Sequence, residues 1–107
     1  HPQCQSADIG IRTLTPFTKW AREHGKRGFL GEFGAGSNPT CLSALDNVLK
    51  FMAENSDVWL GWTFWAAGPW AEDYFTSIEP AKGRDRPQMS VLEKYIRRKG
   101  AVDGIPR

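Results

Sequence analysis

Two short apolar runs with one amphipathic helix pattern between them constrain this chain more than any other feature. The first, Gly28-Phe29-Leu30-Gly31-Glu32-Phe33, and the second, Val58-Trp59-Leu60-Gly61-Trp62-Thr63-Phe64-Trp65, have the length and the aromatic content of strands. Neither is long enough to cross a bilayer. Between them Leu42, Leu45, Val48, Leu49 and Met52 recur at helical spacing from Thr40 to Asn55, with Asn38 and Pro39 preparing the helix start. Strand, helix and strand in that order predict a right-handed crossover that lays the two strands side by side and parallel.

Helices are expected on both flanks. Phe17, Trp20, Ala21 and His24 share a helical spacing, with Thr15 as the cap, Pro16 at the first helical position and Gly25 as the stop. Val91, Leu92, Tyr95 and Ile96 mark a last helix, with Pro87 near its start and Gly100 beyond its end. The order helix, strand, helix, strand, helix is α/β, and two strands alone can neither bury their faces nor satisfy their edges. A (β/α)8 barrel uses about 250 residues and builds its active site at the carboxyl ends of its strands, which is where Glu32 and Trp65 fall. The chain has 107 residues and begins His1-Pro2-Gln3-Cys4, as a processed chain or a piece of a longer one would. No internal repeat or low-complexity tract suggests another architecture.

Glu32 is the residue that needs a reason. A carboxylate in an apolar strand loses hydration unless it faces a polar cavity or a substrate, and burial would raise its pKa. Gly34 and Gly36 follow it, permitting positive φ and leaving no side chain between the carboxylate and an approaching ligand. The alternative is a strand-end glutamate that merely meets solvent.

Five Trp, six Phe and two Tyr are unusual for this length. Such rings build a core, and around a cleft they also stack on sugars or bases. A formal charge of +2 does not call for nucleic acid, since the cluster Arg97-Arg98-Lys99 suits a solvated helix face. No segment calls for a membrane. Cys4 and Cys41 lack CxxC spacing, which argues against a zinc site even with His1 and His24. They are either a disulfide, as an exported protein would carry, or two free buried thiols.

The stretches Gly28 to Glu32, Asn55-Ser56-Asp57-Val58-Trp59, Trp65-Ala66-Ala67-Gly68-Pro69-Trp70 and Ile78-Glu79-Pro80 together resemble the carboxyl-terminal part of glycoside hydrolase family 5 endoglucanases. The resemblance covers most of the chain. It implies a segment of a (β/α)8 TIM barrel comprising helix 6, strand 7, helix 7, strand 8 and helix 8, with residues 1–107 forming one portion of a catalytic barrel and no second domain. By the same resemblance Glu32 is the nucleophile, Trp65 lines the subsite of the scissile sugar, and the Trp65-Ala66 peptide is cis. Trp70 and Tyr74 border the cleft, and Cys4 pairs with Cys41. Secretion is implied, whereas a cofactor or metal is not.

A retaining glycosidase needs one carboxylate to attack the anomeric carbon and a second to protonate the leaving oxygen, about 5 to 5.5 Å away. In the family the acid/base Glu follows strand four beside an Asn. None of Glu54, Glu72 and Glu79 carries the Asn-Glu pattern, in which the Asn comes directly before the Glu. The expected function is therefore cellulose hydrolysis by the complete enzyme, with β-1,4-glucan as substrate and an amino-terminal barrel segment or further copies of the chain as partner. The isolated chain is expected to be inactive. The alternative is a noncatalytic carbohydrate-binding or assembly fragment.

Overall fold

In the computed structural model, residues 4–67 and 74–96 are described. Five elements follow one another: α1 (Ile9–Glu23), β1 (Gly28–Phe33), α2 (Pro39–Glu54), β2 (Trp59–Phe64) and α3 (Pro87–Leu92). β1 and β2 pair in parallel, with Gly28 opposite Trp59 and Phe33 opposite Phe64. The strand, crossover helix and strand read from the sequence are therefore present.

α1 begins earlier than its sequence pattern suggests. It starts at Ile9 with Asp8 at the N-cap, so Pro16 lies inside the helix rather than opening it. Pro16 has no N–H to offer the Arg12 carbonyl. The threonines around it bond back along the helix, Thr13 to Ile9, Thr15 to Ile11 and Thr18 to Leu14. The stop at Gly25 is as expected. Its φ of 65° allows Lys26 N–H to reach the Ala21 carbonyl at 2.8 Å and its own N–H to reach Arg22, which closes a Schellman turn.

α2 is set by its ends and its stripe. The Asn38 side chain accepts from Cys41 N–H at 2.9 Å, and Pro39 occupies the first turn, where a missing N–H costs nothing. Leu45, Val48 and Leu49 join Ala35, Cys41, Val91 and Leu92 in one buried cluster, against which Phe33, Trp62 and Phe64 pack from the strands. Full burial of a side chain such as Leu45 or Leu49 stabilises the fold by about 1.5–3 kcal/mol.

A second cluster gathers Ala21, Met52, Val58 and Trp59. Here α1 turns Thr18 and Ala21 inward and leaves Phe17 and Trp20 exposed. The Trp59 indole N–H donates to the Thr18 hydroxyl at 2.9 Å, so the ring's polar edge is satisfied although buried. Arg22 then forks onto Asp57 at 2.7 and 2.8 Å, holding that carboxyl below its ordinary range mainly through these hydrogen bonds. The end of α1 is thereby fastened to the turn before β2.

α3 is shorter than the apolar spacing through Ile96 suggests. After Leu92 the backbone closes on itself in turns, with Lys94 N–H on Val91 and Tyr95 N–H on Leu92. This tighter winding turns the Tyr95 hydroxyl onto the Asp46 carboxylate at 2.6 Å, beside Lys94. Burial and the Asp46 hydrogen bond push the Tyr95 phenol up to about 12. Gly100 lies outside the described residues.

Candidate active site

β1 and β2 run in parallel, so their carboxyl ends lie together at one end of the sheet. Glu32 is the penultimate residue of β1, and Trp65 directly follows β2. The ends are stitched by Trp65 N–H donating to the Phe33 carbonyl at 2.7 Å. Trp65 is 41% exposed, and its peptide bond to Ala66 is cis, as the resemblance implies.

Strict alternation from Leu30 would send Glu32 into the packed face. The pairing instead slips between Leu30 and Phe33. Leu30 and Phe33 both pack towards the helices, while Gly31 and Glu32 between them are both exposed. Such an irregularity re-aims side chains at a strand end, and here it releases the carboxylate from the apolar layer. Of the two settings left open for Glu32, burial in the strand or exposure at its end, the second is the one observed. Among the described residues no hydrogen bond or ion pair ties its carboxylate down.

Gly34 serves the site by another route than the expected positive φ. It is not among the glycines in the left-handed region, which are Gly25 and Gly83. A Cβ added at Gly34 would stand 2.5 Å from the Trp65 carbonyl oxygen and 3.0 Å from Thr76 Cβ. The two strand exits approach so closely that only glycine fits between them.

Beyond β2, Tyr74 is exposed with its ring 5.0 Å from that of Phe75. Trp70 lies outside the described residues. Cys4 and Cys41 form a disulfide with their Cα atoms 5.2 Å apart, fastening the segment before α1 to the first turn of α2 just past the β1 exit. Among the described residues no cluster of His, Cys, Asp or Glu is arranged to hold a metal ion. One participant gave no signal in the sequence. Gln88 of α3 is 2% exposed and sends its side chain to the strand exits. A glutamine in a short helix carries no motif, and only its burial singles it out.

Two parallel strands joined by a crossover helix, with a carboxylate and an exposed indole at their carboxyl ends, define a protein of the parallel β/α class. Known proteins narrow that class. The model of the Cellulase family, glycosyl hydrolase family 5, matches residues 1–68, and the chain belongs to that family. It is 49% identical to endo-beta-1,4-glucanase A of Emericella nidulans and 45% identical to the probable endo-beta-1,4-glucanase B of Aspergillus niger, each over 94 residues. These alignments cover 87% of this chain but only 29% and 28% of the relatives. The solved structure of XacCel5A in complex with cellopentaose superposes with a TM-score of 0.85 at 50% identity, over 90% of this chain and 31% of that one. The chain thus spans under a third of the length of the proteins it resembles.

Proposed function

We propose that this chain contributes the nucleophile and a sugar platform to a retaining endo-β-1,4-glucanase with a (β/α)8 barrel, of which it forms helix 6 through helix 8. The observation that carries this reading is the seam between the strand exits, where Glu32 and Trp65 are held one hydrogen bond apart in the chain path at the carboxyl ends of parallel strands. An exposed indole gives a sugar ring an apolar floor, and an exposed carboxylate beside it can reach the anomeric carbon.

In the first half-reaction Glu32 Oε attacks that carbon while a carboxylic acid protonates the departing glycosidic oxygen. A covalent glycosyl ester on Glu32 results, and the shortened glucan leaves. In the second, the same acid, now a carboxylate, takes a proton from water as the water oxygen attacks the anomeric carbon and releases Glu32. The acid/base group comes from another part of the protein. Tyr74 and Trp70 border the cleft in this reading, and the disulfide suits a secreted, extracellular enzyme.

Exposed apolar surface supports the companion segment of this reading. The sheet has two strands among the described residues, Phe29 and Leu60 are 51% and 62% exposed, and an apolar groove runs past Leu14, Leu30, Phe33 and Val48. An amino-terminal barrel segment, or failing that a further copy of the chain, would cover these surfaces.

The test is Glu32→Gln in the full-length enzyme. Hydrolysis of soluble glucan should fall by on the order of 10⁴-fold or more while glucan binding persists, because the amide keeps the shape but cannot form the ester. A mechanism-based fluoroglycoside should label Glu32, and the 107-residue chain assayed alone should show no turnover. Labelling of a different carboxylate would overturn the assignment.

A further inference from the structure

Gln88 stands far along the chain from Glu32 and Trp65, yet it reaches the seam between the two strand exits. Its carboxamide nitrogen donates to the Ala35 carbonyl at 3.0 Å and to the Phe75 carbonyl at 3.3 Å. Ala35 lies three residues beyond Glu32 on the β1 exit. Phe75 belongs to the segment returning past the β2 exit, where Ile78 N–H donates to the Ala66 carbonyl at 2.9 Å and Thr76 borders Gly34. One side chain therefore bridges the two pieces of backbone that carry the carboxylate and the indole.

The chemistry of that bridge is specific. Two neutral carbonyl oxygens require two N–H donors, and a primary carboxamide supplies both from one nitrogen. The amide oxygen of Gln88 is buried with no hydrogen-bond partner among the described residues, so the donor edge alone makes the bridge. Methionine fills a similar volume but donates nothing. A glutamate carboxylate would set negative charge against both carbonyl oxygens.

We propose that Gln88 is a positioning residue that fixes the spacing between Glu32 and Trp65 by tying the two exits together from α3. The proposal rests on the reading that those two residues face one substrate. Simple packing is satisfied by volume, whereas positioning needs both N–H groups. The two roles therefore predict different outcomes for replacements of equal size.

The test compares Gln88→Met and Gln88→Glu with Leu92→Ala in the full-length protein that carries this chain. Leu92, buried in the same helix, serves as a control for lost stability. Gln88→Met should lower kcat on a soluble cello-oligosaccharide by about 10-fold to 100-fold, the scale of a displacement of roughly 1 Å between reacting groups. KM should move much less, and Leu92→Ala should keep kcat within about twofold of wild type even though it loses more stability. Gln88→Glu should lose at least as much kcat as Gln88→Met, because neither its ionised nor its protonated form supplies two donors. Amide hydrogen exchange gives a readout free of activity. In Gln88→Met the Trp65 N–H should exchange at least about 10-fold faster while Gly28 N–H, bonded to Val58 at the other end of the sheet, is unchanged. Wild-type kcat and wild-type Trp65 exchange in Gln88→Met would overturn the proposal, as would equal losses in Leu92→Ala. A wild-type protein without glucanase activity would instead refute the proposed function, leaving the exchange measurement to decide the role of Gln88.

Discussion

Replacing Gly34 with alanine tests how closely the two strand exits must approach. The new methyl carbon would lie 2.5 Å from the Trp65 carbonyl oxygen, against roughly 3.3 Å for a close carbon–oxygen contact, an overlap of about 0.8 Å. The obstructing atom is backbone, so no rotamer change relieves it. Thr76 Cβ and Cγ2, at 3.0 and 3.2 Å, block the sideways escape. Either the exits separate or the chain bends, and overpacking of this kind costs about 1–3 kcal/mol. Separation by most of an ångström would also displace Trp65 from Glu32, which in the proposed enzyme costs up to roughly 100-fold in kcat. Chemical denaturation and hydrolysis of a soluble cello-oligosaccharide should be measured on the full-length protein. A Gly34→Ala protein within about 0.5 kcal/mol of wild type and with undiminished kcat would show that the exits do not touch as described.

Reduction of the Cys4–Cys41 bond, whose ends are 37 residues apart, should lower stability by roughly 4 kcal/mol in the chain-entropy model. Denaturant midpoints with and without dithiothreitol measure this, and coincident curves would contradict it. Asp46 is held below its ordinary carboxylate pKa chiefly by the Tyr95 hydroxyl, then by Lys94 and, more weakly, Lys50. A depressed folded-state pKa means that the contribution is present above about pH 4 and is lost as pH falls through the folded value. Asp46→Asn should therefore flatten the acid side of the stability profile below about pH 4. An unchanged slope there would show that Asp46 gains nothing from its partners.

The residue order alone determined the β/α character of this chain. Alternating strand and helix periods, the Asn38-Pro39 start of α2 and the Gly25 stop of α1 are local effects of backbone geometry, and each has its origin within a few residues. Glu32 and Trp65 were legible as site candidates because both follow directly from a strand and a strand end. Other features depended on contacts between distant segments. The start of α1 at Ile9 was hidden by Pro16, whose missing hydrogen bond the surrounding helix tolerates. The exposure of Glu32 follows from a pairing slip against β2 that alternation within β1 cannot reveal. Gly34 is required by a carbonyl oxygen 31 positions away, and Gln88 reaches Ala35 across 53 positions. A local pattern records what the backbone prefers at each position. The identity of the atoms that meet is set only when the strands, α2 and α3 pack, which is why the carboxylate and the indole could be named from sequence while the residues holding them together could not.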